Sequence, residues 1–140
     1  MNYSMRKWYR FINEQKDSNR VSKVILFNGS KILFLISKNG PFAEQLDLPG
    51  GHIRHGEDSI TGLYRETKEE TGLNIRNVNE LLQIDNITFY WGTIPNEPIT
   101  LSDEHSAYHI SSFDEIIRKG YTISDKFSEA INLAYEEVNK

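Results

Sequence analysis

The sequence predicts a single α/β domain with helices packed on both sides of a sheet. Two runs, residues 21–27 and 31–37, are apolar almost without interruption and too short for helices, which marks strands covered on both faces. Helix signals with start and stop residues flank them along the chain, at residues 58–72 and beyond 112, and supply the covering layers. With 140 residues, 38% of them hydrophobic, the chain suits one domain with a core of useful size, and a second does not fit comfortably.

Taken in order, Met5, Trp8, Tyr9 and Ile12 recur at i, i+3, i+4 and i+7, so a short amphipathic helix opens the chain as an extension over about residues 1–16. Residues 1–20 hold five basic and two acidic side chains interleaved with aromatics. That mix is compatible with an RNA contact, but the periodicity favours packing against the domain or against a homodimer partner. Asn28-Gly29 joins the two apolar runs as a hairpin, with positive φ expected at both turn positions. Residues 38–42, containing Asn-Gly-Pro, form a loop, residues 46–48 a short strand, and Pro49-Gly50-Gly51 a turn into the next helix. Residues 78–84 and 87–93 read as strands, the first less regular because Asn79, Glu80 and Gln83 break the alternation. Residues 94–102, with two prolines, form a loop, and residues 107–110 a strand. Ser112 and Glu115 make a capping box, closed by Arg118, Lys119 and Gly120. Phe127, Ile131, Ala134, Tyr135 and Val138 stripe a last helix that starts near Ser124.

The chemistry gathers on the helix between residues 58 and 72. Asp58 or Ser59 caps its start, Glu57 and Asp58 lie at the positive end of its dipole, and Gly72 ends it. At about 100° per residue, Glu69, Glu66 and Glu70 fall at about 40°, 100° and 140°, while Ile60, Leu63, Thr67 and Tyr64 centre near 210°. Three carboxylates therefore share one flank beside the apolar face. Only Arg65 pairs readily, with Glu69 four residues on, and Glu66 repels Glu70 by about 0.2–0.5 kcal/mol on an isolated helix. A charge run usually faces water. Clustered acids beside a buried face otherwise invite a cation, and oxygen ligands with no cysteine point to Mg²⁺ or Mn²⁺ rather than zinc. His52 and His55 lack the further ligands of a zinc pair.

These residues resemble the box of the Nudix hydrolase family, written G-x5-E-x7-R-E-U-x-E-E-x-G-U with U a bulky aliphatic residue. Gly51, Glu57, Arg65, Glu66, Glu69, Glu70, Gly72 and Leu73 stand at its positions. At about 7% frequency each, seven fixed identities coincide by chance about once in 10⁸ start positions, which outweighs the reading as a solvated face. Thr67 departs from the aliphatic position, but it is β-branched and fills much of the volume. Gly62 inside the helix costs roughly 1 kcal/mol against Ala. It either leaves room for metal or substrate or permits close packing.

The resemblance implies an α/β/α sandwich around a mixed β-sheet. It implies that Glu66 and Glu70 are the core metal ligands, that Glu69 is a further ligand or the base, and that the Gly50 carbonyl completes the site. Glu57 is expected to bind metal or to pair with Arg65, which holds the loop against the helix. Glu66, Glu69 and Arg65 are thus the expected catalytic residues. The segment from Ser102 to Tyr108 resembles the place where family members add one more carboxylate, and Glu104 is the matching position, against the alternative of an exposed loop acid. His105 beside it reads as a lone loop histidine.

The implied reaction is Mg²⁺- or Mn²⁺-dependent hydrolysis of the diphosphate bond of a nucleoside diphosphate linked to another moiety. Nucleoside triphosphates, ADP-ribose, dinucleoside polyphosphates and nucleotide sugars all qualify. Phe42, Tyr90 and Trp91 are candidates to stack on the base, although aromatics in strands more often belong to the core. The alternative is a nucleotide-sensing module that keeps the fold without turnover; its mark is a lost box carboxylate, and none is lost. Isopentenyl diphosphate isomerase shares the scaffold and is expected to use a cysteine, which this chain lacks. The absence of cysteine also excludes disulfides and agrees with a reducing compartment. A net charge of −4 and a pI near 5.6 argue against DNA as a partner and against mRNA decapping. No apolar run approaches the ~20 residues of a membrane span and the first residues lack a signal-peptide core, so a cytoplasmic protein without a membrane partner is expected.

Overall fold

In the computed structural model, which describes residues 19–38 and 45–140, the two apolar runs form β1 (Val21–Asn28) and β2 (Lys31–Ser37). The expected opening helix over residues 1–16 and the candidate Phe42 lie outside the described residues. Successive side chains of a strand point to opposite faces, and both faces are covered here. Ile25 and Phe27 of β1 join Ile32, Phe34 and Ile36 of β2 in one apolar cluster, while Val24, Leu26, Leu33 and Leu35 enter another. The connecting turn is Gly29-Ser30, because Asn28 faces Lys31 across the ladder. Gly29, at φ 63°, is its only residue with positive φ, so the turn lies one residue later than the dipeptide Asn28-Gly29 suggests and has Gly first, as in a type II′ turn.

Beyond that turn β1 and β2 splay apart, and the next segment fills the gap. β3 (Leu46–Asp47) pairs with β2 at Leu35 and Ile36, and β4 (Gly50–His52) lies antiparallel to β1 at Val21, Ser22 and Lys23. The expected turn at 49–51 therefore carries a short strand. Its approach to β1 needs glycine: Gly50 sits at φ 130°, and a Cβ there would lie 2.0 Å from the Ser22 carbonyl oxygen. β6 (Ile87–Thr93) runs parallel to β1, β5 (Asn79–Ile84) antiparallel to β6, and β7 (His105–Ser111) antiparallel to β2, which makes the sheet mixed. The broken alternation of β5 has a cause, a register irregularity between Glu80 and Leu82.

Helix α1 (Ser59–Thr71) covers one face with Leu63, together with Leu73 and Ile75 after it. Asp58 caps it by accepting from the Thr61 N–H, and Gly72 ends it at φ 76° with its N–H on the Lys68 carbonyl. Helices α2 (Phe113–Arg118) and α3 (Asp125–Val138), capped by Ser112 and Ser124, cover the other face with Ile116, Ala130, Ile131 and Ala134. The expected α/β/α layering is thus the observed one. The buried arc of α1 differs from expectation. It takes in Gly62, Leu63, Glu66, Thr67, Glu70 and Thr71, from about 60° to about 240° by the helical count, and so centres near Glu70. Ile60 is left 37% exposed. Close packing of Ile53 and Glu57 on Gly62 brings this flank of the helix inward: a Cβ at Gly62 would lie 2.6 Å from Ile53 Cδ1 and 2.9 Å from Glu57 Oε1. Of the two roles open to Gly62, this is the packing one. No described helix is long and apolar enough to cross a membrane.

Candidate active site

A buried chain of hydroxyls fixes the start of α1 to the sheet. Ser22 Oγ lies 2.7 Å from Ser59 Oγ, which also accepts from Tyr90 Oη at 2.9 Å. Tyr90, 5% exposed, packs with Val24, Leu26 and Leu63, while Trp91 points to the opposite face and meets Phe27 edge-on at 6.4 Å. Both have the surroundings of core aromatics, on different sides of the sheet.

Two of the three flank carboxylates are buried, Glu66 at 6% and Glu70 at 5% exposure, so the acids do not form a solvated face. Glu69 is more open, its side chain 39% exposed. Arg65 ties the loop to the helix. Its Nε and Nη2 donate to both oxygens of Glu57 at 2.9 Å, Nη1 donates to Glu66 Oε1 at 2.8 Å, and Nη2 also reaches the His52 carbonyl at 3.0 Å. The pairing with Glu69 anticipated from i, i+4 spacing is the longest contact, at 3.5 Å. The reason is tertiary: the loop brings Glu57 back over the helix, and a bidentate fork prefers that planar partner. The hydrogen bond from Arg65 holds the Glu57 carboxyl below its usual range, and those to Glu57 and Glu66 raise the guanidinium further. Glycine at 51 is needed for this packing, because a Cβ there would lie 2.6 Å from Glu66 Oε2.

On the other side, Glu70 Oε1 accepts the Gly50 N–H at 2.8 Å. Lys23, buried in β1, donates to Asp47 Oδ1 at 3.0 Å and to the carbonyls of Leu48 and Gly50 at 3.0 and 3.3 Å. His105 Nε2 lies 3.2 Å from Asp47 Oδ2 and 3.9 Å from Glu70 Oε2. The loop before β7 is brought there by Thr100 and Ser102, whose N–H groups donate to the carbonyls of Thr71 and Glu70 at the end of α1. Glu104 itself is exposed, and its carbonyl accepts the Lys38 N–H at 3.2 Å. Burial, then the charges of Asp47 and Glu66, push the Glu70 carboxyl well above its usual range, and Lys23 and the Gly50 N–H only partly offset this. Burial works against the Lys23 ammonium too, but Asp47 and Glu70 hold it above its ordinary value. Asp47 resists its own burial because Lys23 and His105 hold its carboxyl at about 2.

This arrangement fits a hard divalent cation. Asp47, Glu70 and His105 each offer a ligand atom, all within 4.8 Å of one another, and the Gly50 main chain lies alongside. A buried carboxylate whose neighbours push its pKa upward is stable with a proton or with a cation, and the oxygens of Glu70 and Asp47 suit Mg²⁺ or Mn²⁺, while the His105 nitrogen is a softer donor that favours Mn²⁺ over Mg²⁺. Lys23 and Asp47 were not singled out by pattern. One signal was present: a lysine in an otherwise apolar run needs a buried anion, and Asp47 stands beside the Pro-Gly-Gly turn.

Comparisons with known proteins follow the same line. The NUDIX domain family matches residues 18–133. An ADP-ribose pyrophosphatase of Methanocaldococcus jannaschii is 43% identical over 60 residues, which is 43% of this chain and only 35% of that relative's length. The structure of a MutT NUDIX hydrolase from Burkholderia pseudomallei aligns with a TM-score of 0.70 at 19% identity, over 81% of this chain and 95% of the other. The NUDIX domain of Shewanella oneidensis NrtR, crystallised with ADP ribose, aligns with a TM-score of 0.70 at 14% identity, over 99% of both chains. At such identities the two structures speak for the fold alone. With the family match running from β1 into the last helix, and every charged box residue carried on one loop and one helix, the chain belongs to the Nudix hydrolase family.

Proposed function

We propose that this protein is a divalent-metal-dependent pyrophosphohydrolase that cleaves the diphosphate bond of a nucleoside diphosphate linked to another moiety. The observation that carries the reading is the burial of Glu66 and Glu70 side by side, with Asp47 adding to the negative charge around Glu70. Like charges so placed cost folding free energy unless a ligand repays it. ADP-ribose is the first substrate to try, since one relative is named for that activity and a structural neighbour holds that compound.

Glu66, Glu70 and the Gly50 carbonyl would hold Mg²⁺ or Mn²⁺, with Asp47 and His105, whose donor atoms lie within 4.8 Å of one of Glu70's, and the open Glu69 as further donors, while Glu57 has both oxygens on Arg65 and Glu104 is exposed. A bound ion would neutralise the diphosphate and lower the pKa of a water molecule. Glu69, the most open acid of the flank, removes the proton of the attacking water. The water oxygen bonds to phosphorus, the anhydride P–O bond breaks, and the leaving phosphate departs as an anion. Arg65 keeps Glu66 in one orientation while it clamps the loop through Glu57. Beside Glu69, an open depression lined by Tyr64, Arg65, Lys68, Ile75 and Arg76 offers cations and apolar surface to the remainder of a substrate.

The test is incubation with a panel of diphosphate compounds with and without Mg²⁺, alongside Glu70→Gln, with products identified by mass. Metal-dependent cleavage that the substitution reduces by about 10²-fold or more is expected. A second reading, binding without turnover, draws on the end-to-end likeness to a NUDIX domain crystallised with ADP ribose. Tight binding of ADP-ribose with no product at any metal concentration would establish that reading in place of hydrolysis.

A further inference from the structure

From Val24 to Phe27 β1 is apolar, and near its start the polar Ser22 and Lys23 are buried as well. Ser22 is accounted for by Ser59. Lys23, 9% exposed, lies inside the sheet, where an ammonium is costly unless specific acceptors surround it. Its three donors meet three acceptors: Asp47 Oδ1, the Leu48 carbonyl and the Gly50 carbonyl. These follow one another along the chain from β3 through the turn into β4, so one cation gathers the whole turn. Gly50 is held twice over, its carbonyl by Lys23 and its N–H by Glu70. Asp47 is held three times, by Lys23, by the Leu48 N–H and by His105, and His105 leads back towards Glu70.

We propose that Lys23 is a positioning residue for the site: its ammonium fixes the turn at 47–50 so that the Gly50 carbonyl and the Glu70 carboxylate face a divalent ion together. The inference rests on the reading of the site as a metal-dependent hydrolase and adds a residue outside the box to it. Lys23 acts through the turn and not by touching substrate. A carbonyl oxygen has two lone pairs, so the hydrogen bond from Lys23 leaves Gly50 able to serve an ion as well. The positive charge also reduces repulsion among Asp47, Glu66 and Glu70 before an ion arrives.

Four proteins test this: the wild type, Lys23→Arg, the double variant Lys23→Met/Asp47→Leu, which removes both members of the buried pair so that neither is stranded, and Asp47→Asn, which keeps Lys23 and reports the loss of the Asp47 carboxylate as a ligand by itself. Mn²⁺ affinity is read from the electron paramagnetic resonance of the unbound ion, without nucleotide, and compared with the urea midpoint and with kcat and KM for ADP-ribose. The double variant is expected to keep a wild-type-like urea midpoint, to bind Mn²⁺ about 10-fold more weakly than Asp47→Asn or worse, and to lose kcat more than KM. Lys23→Arg keeps the charge but re-aims the donors, so its Mn²⁺ affinity should fall between those of the wild type and the double variant. A folded double variant that binds Mn²⁺ as well as Asp47→Asn does overturns the inference and leaves the hydrolase reading standing. If the double variant does not fold, unchanged affinity in Lys23→Arg overturns it equally. A wild type that neither binds Mn²⁺ nor hydrolyses the panel removes the hydrolase reading itself.

Discussion

Arg65 and Lys23 organise opposite sides of the same acidic helix, and they do so by different chemistry. Arg65 spends its planar fork on carboxylates, taking both oxygens of Glu57 and one of Glu66. Lys23 spends a compact ammonium on one carboxylate and two carbonyls of a turn. The first arrangement ties a loop to a helix within the box. The second ties strands distant in sequence and sets the backbone beside Glu70. A guanidinium suits the first task because its donors diverge in a plane, and an ammonium suits the second because its donors point to three corners. The lesson is that Glu66 is oriented by a neighbour in sequence and Glu70 by the sheet.

Substitution can break this comparison, and the largest effect is expected where burial is deepest. Lys23→Met alone strands Asp47 without its cation and should cost about 3–5 kcal/mol in urea melts. Arg65→Ala removes charge-assisted hydrogen bonds made by a cation that is somewhat more exposed, its side chain at 16% against 11% for Lys23, and should cost about 1.5–3 kcal/mol. The reverse order would show that the clamp on the loop, and not the turn, carries the greater share of stability. Arg65→Lys separates orientation from charge: melting should change little, while hydrolysis slows by about 10–100-fold because the fork on Glu57 and Glu66 is lost.

Acid titration sharpens the same contrast. Asp47 titrates at about 2 in the folded protein against an ordinary 3.8, so it binds its proton less readily folded than unfolded. Its contribution to stability is therefore present above about pH 4 and is lost as pH falls through about 2. The difference in melting temperature between the wild type and Asp47→Asn should narrow across that window, and a difference that holds constant would mean that the pairing with Lys23 is not the source. The smallest expected effect lies on α1 itself. Thr67 is fully buried and its hydroxyl has no hydrogen-bond partner among the described residues, so Thr67→Val should raise stability by about 1 kcal/mol in thermal melts.

Thr67 also illustrates how the two kinds of information divide. That it faces the core follows from helical spacing, while the unmet hydroxyl appears only when the neighbours are in place. The strands at Lys31–Ser37 and Ile87–Thr93, the caps at Asp58, Ser112 and Ser124, and the stop at Gly72 were all legible, because each depends on residues a few positions apart. β4 was not legible, since a Gly-Gly-His segment has no strand propensity of its own and pairs only because β1 and β2 splay. Ile60 falls within the buried arc by angle and is still 37% exposed, because it stands in the first turn of α1, where the next turn's Leu63 is the first apolar side chain that the sheet covers. Tyr90 and Trp91, both candidates with Phe42 to stack on the base, point to opposite layers, as adjacent strand residues must.

Local spacing settled the layered fold, the acidic flank and the family, since side chains three, four or eight residues apart have their relative positions dictated by the helix and its cap. Folding decided which of those acids are buried and what faces them: Lys23 approaches Asp47 and Gly50, and His105 approaches Asp47 and Glu70, from strands whose separation along the chain carries no angular relation at all. Desolvation is the physical reason the second matters. A carboxylate in water is indifferent to most of its neighbours, whereas one enclosed with other charges takes its protonation, its orientation and its appetite for a cation from whatever the tertiary structure sets against it.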